Sequence, residues 1–171
     1  RRIKELFPEI KLVALLRNPV DKAYSHYHLS LRSGVQKSSF EEMIEEDIKT
    51  FQKFENTNSM IDDKYFRIYI EKSHLGRGFY AQQLKIWFEL FDRKQILILT
   101  SEELSTDTNK TMNKIFQFLD LPNYEIPDIT KHNTATYANM KIDTRKKLIS
   151  FYSKYNQDLF KLLNQEFDWN K

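Results

Sequence analysis

Apolar residues along the chain fall into two kinds of run. Lys11–Arg17 contains an unbroken apolar stretch, Leu12 to Leu16, and Gln95–Thr100 contains a second, Ile96 to Leu99. Each has the length of a buried strand in a parallel sheet, and Val13, Ile96 and Ile98 add β-propensity. Elsewhere apolar positions recur at helical spacing. Residues 1–7 read as the end of a helix stopped by Pro8, and Pro19–Ser33 as a helix closed by Gly34. Ser39 caps a further helix with acid in its first turn and Met43, Ile44, Ile48 and Phe51 on one stripe. From Tyr80, the positions Leu84, Trp87, Phe88 and Phe91 form another stripe. Thr106 or Asp107 caps a helix burying Met112, Ile115, Phe116 and Leu119. Asp143 caps the last helix, with a break expected near Asn156 before Leu159, Leu162 and Leu163 resume the stripe.

Three stretches do not follow either period. Lys53–Asp63 is polar and irregular and reads as an insertion. Lys64–Lys72 fits helix and strand alike, with helix the preferred reading. Pro122 to Met140 is a long loop, and loops beyond about 12–15 residues are usually functional or mobile.

The junction at the end of the first apolar run carries the most chemistry. Arg17 ends the run, Asn18 suits an N-cap, Pro19 fits the first helical position, and Asp21 favours the positive end of the helix dipole. A strand running into a capped helix places free backbone N–H groups at the carboxyl edge of a sheet, where α/β proteins bind phosphates. Ser25 lies two helical turns beyond the cap. A guanidinium fork and a hydroxyl aimed at one point make a receptor for a phosphate dianion. The competing reading is an ordinary salt bridge for Arg17 and a surface hydroxyl for Ser25.

Composition narrows the classes. One domain of 171 residues can bury a sizeable core, and 40% hydrophobic with 14% aromatic residues is globular usage. The 27 basic and 24 acidic residues are interspersed and leave a net charge of +3, which is no nucleic-acid footprint. There is no cysteine, hence no disulfide and no thiolate metal site. No apolar run approaches the roughly 20 residues that span a bilayer, so no membrane segment is expected in this chain. Absent cysteine and a Lys, Asn and Ile-rich composition lean towards a bacterial, cytoplasmic protein. Only three glycines occur, and no Gly-rich phosphate loop is among them.

Other candidate sites carry less chemistry. His26 and His28 are two apart on a helix and point to different sides, and His74 and His132 have no ligand-spaced partner, so no metal site is expected. Ser25 and His26 are adjacent and cannot face each other as a nucleophile and base. His28 shares the face of Ser25, with a half-buried histidine as the plainer reading. Trp87 and its stripe read as core rather than as a platform for a base. Arg77 and Tyr80, at the entrance of their helix, are candidates for lining a substrate cleft. Lys131, Thr134 and Tyr137 place cationic and hydroxyl groups in the long loop.

The wording of these segments carries a resemblance. Arg17-Asn-Pro-Val-Asp-Lys-Ala-Tyr-Ser-His-Tyr27 resembles the 3′-phosphate-binding motif of sulfotransferases that use 3′-phosphoadenosine 5′-phosphosulfate (PAPS). Gly78 to Trp87 is similar to that family's Tyr-x-x-x-Leu-x-x-Trp helix, and Gln95 to Leu104 to its following strand and Glu-x-Leu turn. Phe118-Leu-Asp-Leu-Pro122 resembles the usual Phe-Leu-Gly-Leu-Pro, with Asp120 in place of Gly. Thr136 to Met140 resembles the loop that closes over the cofactor, and Asp168-Trp169 the usual finish.

The resemblance implies an α/β, P-loop-NTPase-like three-layer domain, helix-rich around a central parallel sheet. It implies a sulfotransferase moving a sulfuryl group from PAPS to a hydroxyl or amine acceptor on a carbohydrate, lipid or small molecule, without a metal. Arg17 and Ser25 take the cofactor's 3′-phosphate, and Lys131, Thr134 and Tyr137 belong to the closing loop. The family's phosphosulfate loop with its catalytic Lys, and usually its acceptor base, lie before the Arg-Asn-Pro motif. Residues 1–171 are therefore expected to be a partial, C-terminal portion of the domain, inactive alone, with no catalytic residue in this chain. Relatives acting on heparan-type sugars carry Lys-Gly-Arg before the Tyr, and the altered Lys131-His-Asn-Thr-Ala-Thr136 argues against a heparan-like acceptor. Two alternatives stay open: another nucleotide-binding transferase or kinase of the same fold, and a non-catalytic interaction domain derived from the family.

Overall fold

Two strands form the sheet, and they are the two unbroken apolar runs. A computed structural model describes residues 2–56, 68–70, 73–130 and 137–169. Among these, β1 (Leu12–Leu16) and β2 (Ile96–Thr100) pair in parallel, in register from Leu12 opposite Ile96 to Leu16 opposite Thr100. β2 is buried as expected. β1 departs from the expectation of a wholly buried strand: Val13 and Leu15 are 42% and 51% exposed. Successive strand residues point to opposite faces, and among the described residues nothing covers the face that these two occupy. The elements in chain order are α1 (Arg2–Leu6), β1, α2 (Pro19–Arg32), α3 (Phe40–Asn56), a 3₁₀ turn at Gly76–Gly78, α4 (Tyr80–Leu90), β2, α5 (Ser101–Thr106), α6 (Thr108–Phe118) and α7 (Ile142–Leu163). No described helix is long and apolar enough to cross a membrane.

The chain divides into two compact units, Arg1–Arg17 with Gln82–Thr136, and Asn18–Ala81 with Tyr137–Lys171. In the first, Gln95 Nε2 donates to the carbonyls of Pro8 (2.9 Å) and Ile10 (3.1 Å), tying the approach to β1 to the start of β2. On the α4 stripe Leu84 and Phe91 are buried, but Trp87 is 37% exposed and stacks on Phe91, which corrects its assignment to the core. After β2 the sequence reading missed α5. Thr100 and Glu103 form its capping box, with Glu103 N donating to Thr100 Oγ1 at 3.2 Å. Of the two candidate caps for the next helix, Asp107 serves, accepting from Lys110 N at 2.9 Å.

α6 ends in a Schellman motif: Leu121 N donates to Phe116 O (2.8 Å) and Asp120 N to Gln117 O (3.1 Å). The motif needs a left-handed residue, and Asp120 stands there at φ 58°. This explains physically why Gly suits the position in the resembling sequences. Asp120 also pairs with Lys11. Asp120→Gly should hold stability within about 1 kcal/mol of the parent, because relieved backbone strain offsets a lost exposed ion pair. Asp120→Val should cost about 1–2 kcal/mol, because a β-branched residue strains at positive φ. Urea unfolding of both variants checks this, and equal losses would reject the backbone explanation.

The second unit is built on α2, α3 and α7. Val20, Ala23 and Tyr27 of α2 pack with Phe40, Ile44 and Phe51 of α3 and with Leu148 and Tyr152 of α7. Ser39 and Glu42 cap α3 reciprocally, Ser39 N donating to Glu42 Oε2 (2.8 Å) and Glu42 N to Ser39 Oγ (3.2 Å). α3 continues to Asn56, so residues 53–56 are helical rather than irregular. Residues 68–70 are helical; the rest of Lys64–Lys72 and of the supposed insertion lies outside the described residues. The last helix differs from expectation twice. Asp143 sits in its first turn instead of capping it, since Lys141 holds the cap position without a side-chain bond to the helix's N–H groups. No break occurs at Asn156, which is buried within a continuous helix ending at Asn164 in the left-handed conformation. Arg145 Nη1 pairs with Asp21 Oδ1 at 2.7 Å, joining α7 to the first turn of α2.

Candidate cofactor and acceptor site

The entry to α2 is tightly determined. Asn18, 5% exposed, accepts from Val20 N through Oδ1 (3.0 Å), and its Nδ2 donates to Trp169 O (3.4 Å). Its carbonyl accepts from Lys22 N at 2.9 Å, and Pro19 occupies the first turn. The cap therefore locks the helix start to the C-terminal segment of the same unit. Arg17 immediately precedes the cap, is half-buried and closes the first compact unit; Ser25 is half-buried on α2 in the second.

On α2, helical spacing puts Lys22, Ser25 and His26 on one face, away from Val20, Ala23 and Tyr27. Lys22 Nζ donates to the Arg77 carbonyl (2.7 Å) and lies 4.7 Å from the centre of the Tyr80 ring. Burial, and then the neighbouring Arg77 charge, bring its pKa down to about 8. Arg77 Nη1 lies 2.9 Å from His26 Nε2. The His26 and His74 rings meet edge to face at 4.7 Å. Burial, Arg77, His74 and Lys22 together hold His26 at about 4, so its ring is neutral at physiological pH. Burial also lowers the His74 pKa, against the pull of Asp47.

Of the residues picked out for a substrate cleft, Arg77 and Tyr80 thus share one cluster. Tyr80 is buried, its ring between Lys22 and Trp169. His28 goes elsewhere: its ring stacks on Tyr137 at 4.0 Å and 8°, and Tyr24 meets both rings edge-on. Tyr24 also donates to Ala138 O at 2.7 Å, so α2 grips the chain where the long loop returns. Burial, then Arg32, lowers the His28 pKa. Lys131 and Thr134, the other two loop candidates, lie outside the described residues, as does His132. Sequence reasoning missed the meeting of Lys22 and His26 with Arg77, and of His26 with His74. Lys22 and His26 reach Arg77 across 55 and 51 positions, for which local spacing offers no signal.

These features define an α/β protein whose parallel strand feeds a capped helix with a donor-rich face. The chain belongs to the sulfotransferase domain family, whose profile matches residues 3–168. It is similar to carbohydrate sulfotransferase 15 of Mus musculus, with 31% identity over 182 residues, 95% of this chain and 31% of that protein. It is similar also to the membrane-associated sulfotransferase kil1 of Dictyostelium discoideum (21% identity, 93% of this chain, 48% of that protein). A third relative is the human bifunctional heparan sulfate N-deacetylase/N-sulfotransferase 3 (25% identity, 96% of this chain, 20% of that protein). The chain thus spans about a third of the length of the carbohydrate sulfotransferase it matches. A crystal structure of a sulfotransferase from Alicyclobacillus acidocaldarius superposes with a TM-score of 0.77 at 24% identity, covering 99% of this chain and 61% of that one. The fold is shared with that protein: α/β and P-loop-like, with a helix-rich frame around a parallel sheet.

Proposed function

We propose that the protein transfers a sulfuryl group from PAPS to a hydroxyl or amine, and that the acceptor is a carbohydrate. Family membership and the carbohydrate and heparan sulfate enzymes among its relatives support this reading. The observation that carries it is the Arg17-Asn18-Pro19 junction. There Asn18 fixes the first turn of α2, and the sequence puts a guanidinium just before the turn and the Ser25 hydroxyl two turns after it. Such a junction suits a phosphate, since helix N–H groups and charge-assisted bonds both favour a dianion. In the proposed role Arg17 and Ser25 hold the 3′-phosphate, and Lys131, Thr134 and Tyr137 join them from the loop that, by the family's order, closes over the cofactor. The bound cofactor would supply the activated phosphosulfate bond. In the proposed role this chain's residues bind and orient it, which supplies positioning, one of the two requirements of in-line transfer of such a group, the other being stabilisation of the developing charge.

The test uses the full-length protein and calorimetry. Arg17→Ala should weaken 3′,5′-diphosphoadenosine binding by about 2–4 kcal/mol, the loss expected when one side of a desolvated charge-assisted contact is removed. Ser25→Ala should weaken it by about 1 kcal/mol. Binding of 5′-AMP, which has no 3′-phosphate, should change little in either variant. Equal losses for both ligands would favour a different nucleotide-binding transferase, and no nucleotide binding in the parent would favour an interaction domain.

A further inference from the structure

The segment that returns to α2 ahead of α7 is held by side chains rather than by secondary structure. Tyr137–Met140 belongs to neither helix nor strand, yet three contacts fix it. Tyr24 Oη donates to Ala138 O at 2.7 Å, and Met140 packs against the buried cluster of α2, α3 and α7. The Tyr137 ring lies flat on His28, with centres 4.0 Å apart and planes 8° apart. Tyr24 meets the His28 ring edge-on at 4.5 Å and the Tyr137 ring edge-on at 5.4 Å. Phe40 of α3 backs Tyr24 at 4.8 Å, and Tyr27 meets His28 at 5.1 Å. Ring contacts of this kind orient their partners as well as attracting them.

His28 brings an ionisable ring into this stack. Its Nε2 is buried without a hydrogen-bond partner among the described residues. Both nitrogens of an imidazolium are donors, so charging the ring would put an N–H at Nε2 with nothing to accept it. The surrounding groups do not repair that loss. On its own helix Arg32 opposes a positive ring, and Tyr24 and Tyr27 offer it only ring contacts. At the start of α3, Glu41 acts on Tyr24 and pairs with Lys141 at 3.4 Å. A stacked imidazolium gains something from the tyrosine face, but burial first and Arg32 second lower the His28 pKa. The stack is therefore built for the neutral ring.

We propose that His28 is a positioning residue of the cofactor site: its uncharged ring, braced by Tyr24, seats Tyr137 on the face of α2 that carries Ser25, and acid unseats it. Ser25 precedes His28 by three residues on the same helix, which makes the two neighbours on its surface. The role at the cofactor rests on the sulfotransferase reading above; the seating of Tyr137 does not. His28 and Tyr24 act through Tyr137. Because the pKa of His28 is lowered in the seated state, that state is fully favoured above about pH 6.5, the ordinary histidine value. It loses the advantage as pH falls below that value, where the unseated ring takes up a proton more readily.

The experiment follows the ring NMR signals of Tyr137 in the full-length protein without nucleotide, and its affinity for 3′,5′-diphosphoadenosine by calorimetry, at about pH 7 and about pH 5. In the parent, stacking should displace the Tyr137 signals from free-tyrosine positions at neutral pH, and acid should return them. His28→Phe keeps a flat ring and removes the titration, so its signals should stay displaced at both values. His28→Ala should give free-tyrosine positions at both, with melting temperatures confirming that both variants fold. At neutral pH His28→Ala should weaken diphosphoadenosine by roughly three- to tenfold and His28→Phe should restore it, with 5′-AMP nearly unchanged in both. The ligand's own 3′-phosphate takes up a proton near about pH 6, which affects every variant alike. The steeper loss of affinity in parent than in His28→Phe therefore isolates His28. Equal Tyr137 signals in parent and His28→Ala, or the same pH dependence in parent and His28→Phe, overturns the proposal. An unseated Tyr137 that leaves diphosphoadenosine affinity unchanged overturns it too. A parent that binds no nucleotide would instead overturn the transferase reading, and the Tyr137 signals alone would then decide the seating.

Discussion

Gly78→Ala should destabilise the protein by about 2–3 kcal/mol, at the upper end for overpacking a well-filled core. The added Cβ would lie 2.7 Å from Tyr152 Cε1, 2.8 Å from Pro19 Cβ and 2.9 Å from the Tyr152 hydroxyl. None of these neighbours gives way cheaply. Tyr152 is fully buried and its hydroxyl is committed to Leu75 O, so rotating the ring would leave a buried hydroxyl unpaired. Pro19 stands in the first turn of α2, which the Asn18 cap holds in place. Gly34 provides the control. It has φ 72° but nothing within 4 Å of an added Cβ, so Gly34→Ala should cost only about 1 kcal/mol of backbone strain. Urea denaturation of the two variants separates packing from backbone conformation. A Gly78→Ala loss no larger than that of Gly34→Ala would show that the close approach of Tyr152 and Pro19 does not constrain this turn.

Phe79→Ala should cost more, about 3–5 kcal/mol, the range for emptying a large aromatic site in a core. Phe79 is fully buried, with its ring centre 4.3 Å from that of Tyr155, 5.1 Å from Phe51 and 5.9 Å from Phe151. These rings come from α3 and α7, so they cannot collapse into the gap without moving both helices. Phe79→Leu, which keeps most of the volume and loses the tilted ring contacts, should cost about 1–2 kcal/mol. Trp87, the exposed aromatic of α4, should lose under about 1 kcal/mol on truncation to Ala. Thermal and urea unfolding would rank the three. A Phe79→Ala loss below that of Trp87→Ala would show that the aromatic cluster does not hold this unit together.

The contrast between Phe79 and Trp87 shows where periodicity informs and where it fails. Strands β1 and β2, the Asn18 cap, the Ser39 box and the α2 and α3 stripes were legible because each is determined within one turn or one strand of sequence. Trp87 belongs to the stripe by spacing, but which flank of a stripe faces inward depends on its neighbours in space. Exposure of Val13 and Leu15 on β1 was hidden for the same reason, since an unbroken apolar run does not state what covers each face. Asp143 had the composition of a cap, and the backbone places it two residues past the cap position. Asn156 resembled a break in α7, but burial within the fold overrode its weak helical preference. At the site, Arg17 and Ser25 stood out through motif chemistry and Arg77 through its place before α4. Lys22 and His26 did not, because their character comes from the meeting of α2 with a turn some fifty positions away.

α2 divides its 14 residues between two duties at helical spacing. Val20, Ala23 and Tyr27 are committed to the core, while Lys22, Ser25 and His26 face away from it. Substitutions in the second set alter charge and hydrogen-bond donors without disturbing the packing that the first set supplies. Positions 22, 25 and 26 are therefore where point substitution changes the chemistry of this helix at the lowest cost in foldability, and under the proposed role of Ser25 laboratory selection there offers a route to altered recognition.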